Sequence, residues 1–352
     1  MNLLVLPGDG IGPEIVQSTV TVLGALGRRH GLDFRYTTRE IGFAALERGG
    51  TTLPNDILDI ARSVDGTLLG PISHLDYPPR EEGGINVSAA FRKDLDLFAN
   101  IRPARTRKGV FHRGTDMDLV IMRENTEGMY PDRNMYAGTG EFMPTEDVAI
   151  SMRKVTAKAI ERIARASFEM ARDRRGKVTA VHKANAFVLT DGLFLKEVRK
   201  VAAAYPDVTL EEVLIDAMAA LLVRDASRYD VICTTNFYGD TLSDLASELS
   251  GSLGLAGSLN AGADHAAAQA QHGSAPDIAG MDKANPISMI LSAAMLLRWH
   301  GERNGMVGYV RGALAIEAAI DTLLEDVSNC TGDLGGPLGT REFTKTLIAA
   351  LD

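Results

Sequence analysis

The stretch KVTAVHKANAF (177–187) reads as a buried strand that finishes on His182 and Lys183. Lysine is seldom buried without a partner. One set at a strand end is either a solvated terminus or a general acid or base aimed by the fold. NFYGDTLSDLASEL (236–249) places Asp240 and Asp244 four residues apart at the start of a helix, on one face. A first-turn aspartate ordinarily complements the helix dipole, yet two stacked carboxylates repel unless a cation lies between them. Asp216, closing the predicted strand VTLEEVLID (208–216), could complete an all-oxygen site for Mg2+ or Mn2+. Arg92, Arg102 and Arg123 fall in FRKDLDLFANIRPAR and DLVIMREN, near predicted strands. A planar guanidinium grips carboxylate bidentately; an arginine taken alone is more often a surface or structural ion pair, and it is three in one short region that make the two readings equal.

Two small-residue motifs add weaker signals. GDGIGPE (8–14) follows a strand and opens a helix, as a phosphate-binding turn does. Pro13 stands where the dinucleotide fingerprint needs glycine, so a plain tight turn is an equal reading. HGSAPDIAG (272–280) and ANP (284–286) precede a long helix. Backbone there can approach a ligand closely, and Asp277 could accept both hydroxyls of a ribose. His30, His74, His112 and His300 show no metal-ligand spacing.

The elements that must position these groups alternate strand and helix. NLLVLP, DFRYTTREIG, DGTLLG, DLVIMREN, KVTAVHK, VTLEEVLID and YDVICTTN read as strands. Amphipathic segments such as TEDVAISMRKVTAKAIERIARASFEMARDRRG lie between them, and the last hundred residues read as mainly helical. This alternation predicts an α/β fold with a largely parallel sheet. The Ala/Gly/Ser-rich patch at 251–270 reads as a hinge, a cofactor loop or a surface loop. With 352 residues the chain can bury two cores or one large one. A net charge of −9 argues against generic nucleic-acid binding, and no apolar run is long enough to span a membrane. Two cysteines and no visible secretory leader fit the cytoplasm.

In order and spacing, GDGIGPE, FRKDLDLFANIRP, RENTEGMY, HKAN, NFYGDTLSD, HGSAPDIAG, ANP and TGDLGG resemble the β-decarboxylating dehydrogenases. That family includes isocitrate, homoisocitrate, 3-isopropylmalate and D-malate/tartrate dehydrogenases. The resemblance implies their two-domain fold, which is not a standard Rossmann domain. Residues 1–98 plus 252–352 would form a discontinuous cofactor-binding domain, and 99–251 would carry substrate, metal and dimer-interface groups. It implies oxidative decarboxylation of a 3-substituted malate by a homodimer with shared active sites, or a higher oligomer. Arg92, Arg102 and Arg123 would hold the malate carboxylates. Asp216, Asp240 and Asp244 would bind Mg2+ or Mn2+, with Asp216 from the partner subunit. Tyr130 and Lys183 would be the acid/base pair, Lys183 also reaching across the interface. His272, Gly273, Ser274, Ala275, Asp277 and Asn285 would line the cofactor site, and the Asp277 carboxylate favours NAD by repelling a 2′-phosphate.

Two departures stand out, the first bearing on nicotinamide placement and the second on substrate specificity. Family members commonly read FEPVHGSAP, where this chain has AAAQAQHGSAP, so Gln269 replaces a glutamate. Isocitrate enzymes carry serine six and asparagine four residues before the first arginine; here Asn86 and Ser88 hold those positions in reverse. Both are polar, which suits a polar C3 substituent better than isopropyl. A non-catalytic regulatory subunit, or an enzyme like phosphohydroxythreonine dehydrogenase, is the alternative. The intact Tyr130, Lys183 and aspartate set argues against both.

Overall fold

The computed structural model describes residues 1–351. In chain order the first elements are β1 (Asn2–Leu6), α1 (Gly12–His30), β2 (Arg35–Thr38), α2 (Phe43–Gly49), α3 (Ile57–Ser63), β3 (Gly66–Leu69) and α4 (Val87–Asp94). Next come β4 (Ala99–Arg105), β5 (Asp118–Glu124), β6 (Glu141–Thr145), β7 (Val148–Ser151), α5 (Ala157–Arg172), β8 (Lys177–His182), α6 (Thr190–Ala202), β9 (Thr209–Leu214), α7 (Ile215–Asp225), β10 (Val231–Thr234) and α8 (Asn236–Ser250). The chain closes with β11 (Leu259–Ala261), β12 (Ala266–Gln269), α9 (Ile287–Asn304), α10 (Val307–Leu324) and α11 (Thr340–Ala350). These elements form two compact units. One comprises Met1–Leu95, Arg107–Phe111 and Gly251–Asp352; the other comprises Asp96–Thr106 and His112–Ser250.

In the first unit the strands run β2-β1-β3-β12-β11, parallel except for the antiparallel β11–β12 pair. Leu3–Leu6 of β1 are buried throughout, as expected of a parallel strand covered on both faces. The Ala-rich patch, expected to be a hinge or loop, instead forms the buried β11–β12 hairpin. Its methyl side chains keep the strand thin, so α9 packs close enough for Ser292 Oγ to donate to the Gln269 carbonyl at 3.1 Å.

In the second unit β4 pairs antiparallel with β5, and β5, β10, β8 and β9 follow in parallel. Alternation along β5 sorts its side chains into two cores. Val120 and Met122 join the cluster built on α5 and α6, and Leu119 and Ile121 join the one built on α7 and α8.

Four expectations need correction. The segment from 145 is not helical at its start: β6 and β7 form an exposed antiparallel hairpin. Phe142, Val148 and Ile150 are aromatic or β-branched and favour strand. The helix begins only after the Thr156 cap, whose Oγ1 accepts from Ala159 N at 3.3 Å. Asp216 does not end a strand, for β9 stops at Leu214 and Asp216 lies in the first turn of α7. There it complements the helix dipole. Asp240 sits one turn inside α8 rather than in its first turn. Finally, β8 ends at His182, which leaves Lys183 on the turn that follows.

Among the described residues no helix is long and apolar enough to cross a membrane.

Gly239 marks where α8 meets β5, since a Cβ there would fall 2.6 Å from Arg123 Cβ and 3.1 Å from its Cα. Gly239→Ala should therefore lose about 1–2 kcal/mol net, overpacking outweighing the better helix propensity. The urea midpoint measures this, and an unchanged midpoint would refute the close approach.

Candidate active site

The second unit gathers three sequence-nominated groups around Asp240. Arg123, at the end of β5 and only 1% exposed, donates from Nε to Asn236 Oδ1 at 2.8 Å and from Nη1 to Asp240 Oδ1. Its Nη2 donates to Tyr130 Oη at 3.0 Å, and Tyr130 in turn donates to Asp240 Oδ2 at 2.6 Å. Arg102, on β4, donates from Nη1 to Asp240 Oδ1 (3.1 Å), Ser243 Oγ (2.7 Å) and Asp244 Oδ1 (3.4 Å). Burial, then the charge of Arg123, lowers the Arg102 pKa to about 10, against the pull of Asp240 and Asp244. The guanidinium still remains charged at neutral pH. The Tyr130 ring lies under the guanidiniums of Arg123 and Arg133, 5.6 and 5.1 Å from its centroid.

Lys183 is held separately. Its Nζ donates to Asp216 Oδ1 at 2.7 Å, a bond that lowers the Asp216 pKa. Its backbone N–H donates to Asp191 Oδ2 at 2.5 Å. Asp191 is fully buried, with Arg153 Nη1 2.6 Å from its other oxygen and the Tyr238 hydroxyl at 3.2 Å. A buried ion pair thus pins the main chain that carries the lysine. Asp191 and Arg153 were not among the nominated residues. Asp191 lies in the first turn of α6, where an aspartate ordinarily means only a dipole partner.

Glu124 and Glu127, also not nominated, support the RENTEGMY loop from below. Glu124 accepts from the Thr126 and Glu127 amides at 2.7 and 3.0 Å. Glu127 accepts from Thr156 N at 2.6 Å and from its hydroxyl at 2.9 Å. Burial raises both pKa values, that of Glu127 to about 7.

In the first unit, loops converge beyond the carboxyl ends of β1, β3 and β12, where open α/β sheets bind ligands. GDGIGPE proves to be a structural turn. Asp9 N and Ile11 N donate to Pro71 O and Ser274 O, each at 2.8 Å, so these amides do not await a phosphate. Gly10 has φ 55° and approaches so closely that a Cβ would lie 2.0 Å from Ser274 O. The Asp9 carboxylate accepts from the Phe43 and Ser73 amides and from Tyr77. Ser274 Oγ lies 2.7 Å from Ser73 Oγ. Ala275 is in the left-handed region at φ 36°, next to exposed Gly273 and Asp277. Asn285 donates to Asp333 Oδ2 at 2.9 Å, which joins ANP to TGDLGG. His272 Nδ1 contacts Gly273 O at 2.9 Å, and its buried Nε2 has no hydrogen-bond partner among the described residues. An orphaned polar atom beside small residues and an exposed carboxylate suits a nucleoside.

Asn86 and Ser88 also belong to this unit. Asn86 caps α4, its Oδ1 accepting from Ala89 N at 3.0 Å. Ser88 lies in the first turn, and Arg92 follows one turn later on the same face.

The structure therefore brings Arg102, Arg123, Tyr130, Asp240 and Asp244 together, and pairs Lys183 with Asp216 elsewhere in the unit. Among the described residues no three His, Cys, Asp or Glu side chains converge to hold a metal. Asp240 and Asp244 nevertheless fit a hard divalent cation. Both are partly exposed carboxylates, and a positive group, Arg102, already bridges them.

The isocitrate/isopropylmalate dehydrogenase family profile matches residues 2–347. The chain is 40% identical to the 3-isopropylmalate dehydrogenase of Archaeoglobus fulgidus, over all of this chain and 99% of that protein. It is equally identical, at 40%, to the isocitrate/homoisocitrate dehydrogenase of Thermus thermophilus, over 99% and 98% of the two chains. The crystal structure of isocitrate dehydrogenase from Methylococcus capsulatus superposes with a TM-score of 0.88 at 39% identity, covering 99% of each chain.

Glu127 generates a pH prediction. Its folded pKa, about 7, lies above the ordinary 4.5. Its contribution to stability is complete below the unfolded value and is lost as pH rises through about 7. Glu127→Gln can accept from Thr156 N through Oε1 and donate from Nε2 to the Thr156 hydroxyl, but cannot ionise. Its unfolding free energy in urea should fall less between pH 4.5 and 7 than that of the wild type. Identical slopes would rule out the raised pKa.

Proposed function

Because the chain belongs to the isocitrate/isopropylmalate dehydrogenase family, we propose that it oxidatively decarboxylates a 3-substituted malate, with hydride transfer to NAD and dependence on Mg2+ or Mn2+. One observation carries this reading: the Tyr130 hydroxyl, Arg123, Arg102 and Asp240 form a single hydrogen-bonded group. It places a phenolic proton beside two guanidiniums suited to carboxylate.

Asp240 and Asp244, with Asp216 of the partner subunit, would hold the divalent cation, which supplies Lewis acidity at the substrate hydroxyl oxygen. His272, Gly273, Ser274, Ala275, Asp277 and Asn285 would hold NAD, the hydride acceptor. The steps assigned to protein groups follow. Lys183 of the partner subunit takes the hydroxyl proton as the C2 hydride departs. Arg102 and Arg123 orient the carboxylates, as does Arg92. The bond from C3 to its carboxylate breaks, CO2 leaves, and the electron pair passes to the enolate. Tyr130 then delivers its proton to C3.

Exposed apolar groups support a homodimer. Phe142, Met143, Val148 and Ile150 line the β6–β7 hairpin, and Phe187, Val188 and Leu189 adjoin Lys183. Such patches mark protein contacts. Both cysteines are free and buried, which fits the reducing cytoplasm in which we place the enzyme.

The test is NADH formation by the purified protein with Mg2+ or Mn2+, offered isocitrate, homoisocitrate, 3-isopropylmalate, D-malate and tartrate. NAD should be preferred to NADP, and Asp277→Lys should narrow the difference. Lys183→Ala and Tyr130→Phe should each abolish most turnover, and mixed dimers of the two should recover one working site in two. Mixed dimers no better than their parents would exclude the shared site, and no turnover with any substrate would exclude the function.

A further inference from the structure

Gln269 ends β12 with its main chain held on both sides. Its N–H donates to Ser258 O at 3.1 Å and its carbonyl accepts from Ser292 Oγ. The side chain, in a residue 8% exposed, donates from Nε2 to Ser88 Oγ at 2.7 Å. A hydroxyl that accepts from an amide turns its own proton elsewhere. Asn86 is polarised in the same sense: its Oδ1 is engaged as the helix cap, so the group it can offer a ligand is its NH2. With Arg92 one turn on, the first turns of α4 carry three side chains able to donate to a ligand.

We infer that Gln269 is a specificity-determining residue: by donating to Ser88 it commits that hydroxyl to donation, and so selects substrates whose C3 substituent carries a carboxylate. This rests on the proposed function and names its substrate class, the 3-carboxyalkyl malates. A glutamate at 269 would have the opposite effect. Only able to accept when ionised, it would draw the Ser88 proton to itself, leave Ser88 lone pairs facing the ligand, and add a negative charge nearby. Glutamine in place of glutamate at this strand end thus reverses the polarity of a neighbouring serine and removes a negative charge from beside it.

The experiment compares kcat/KM for isocitrate and for 3-isopropylmalate in the wild type, Gln269→Met, Ser88→Ala and the double variant, at saturating NAD and Mg2+. Gln269→Met keeps the volume and removes the donor. It should lower the isocitrate-to-isopropylmalate ratio about tenfold, chiefly through the KM for isocitrate. In the Ser88→Ala background the same change should have no further effect, because Gln269 acts through that hydroxyl. General damage lowers both substrates together and leaves the ratio intact. Gln269→Glu, which keeps hydrogen bonding at the position, should lower the ratio at least as far and serves if the methionine variant folds poorly. A ratio unmoved by either variant, or additive effects with Ser88→Ala, would overturn the inference while leaving the function standing. A wild type that prefers 3-isopropylmalate would do the same. Failure to form NADH from isocitrate, 3-isopropylmalate or D-malate would overturn both.

Discussion

The contact on which the second unit's chemistry depends is that of Arg123 with Asp240. A guanidinium removed from water has to be paired and hydrogen-bonded, or its desolvation costs several kcal/mol. Here Asn236, Asp240 and Tyr130 share that task. Strand β5 delivers the arginine and α8 supplies Asn236 and Asp240, which Gly239 permits by letting the helix lie against the strand. The covering of β5 on both faces follows from the same requirement. Only a strand fixed between two cores can hold a buried charge in register with a helix.

Much of this architecture was legible in the chain, because long apolar runs and glycine-bounded turns speak locally. DLVIMREN is apolar on both faces and announced a buried strand. The alternation of such runs with amphipathic segments announced the α/β class. Of the residues the chain nominates, Arg102, Arg123, Tyr130, Asp240 and Asp244 meet in one cluster. What stayed hidden was tertiary. Nothing local distinguishes Asp191 from a helix-dipole aspartate; its role arises because β8 and Arg153 reach it from elsewhere in the sequence. Glu124 and Glu127 likewise read as ordinary surface acids until their burial is seen.

The mistaken elements have physical causes of the same kind. The 251–270 patch looked mobile because alanine, glycine and serine carry little hydrophobic signal, yet small side chains are what a strand needs beneath a closely packed helix. Asp216 reads as the end of the strand before it because the apolar run VLI leads without a break up to that residue. Ile215 begins instead the apolar stripe of α7. GDGIGPE resembled a phosphate cradle because positive-φ glycines serve both purposes. Here its amides are used by Pro71 and Ser274, and the turn acts as a brace for the 272–280 loop.

Charge balance links the two kinds of ligand proposed for the site. In the chain alone, Arg102 and Arg123 offset Asp240 and Asp244, with Arg102 bridging the two carboxylates. On the proposed reading a divalent cation arriving by itself would meet a guanidinium already in contact with its ligands and would leave the cluster net positive. Like charges a few ångströms apart and partly shielded from water repel by several kcal/mol. A substrate bearing carboxylates would remove this conflict: it would give Arg102 and Arg123 new partners and release Asp240 and Asp244 to the cation. Each ligand then relieves a cost that the other would meet alone, which is thermodynamic coupling through shared side chains. On that reading, the arginines that would recognise substrate are, by their position, also the groups that would keep the aspartates from holding a metal too early.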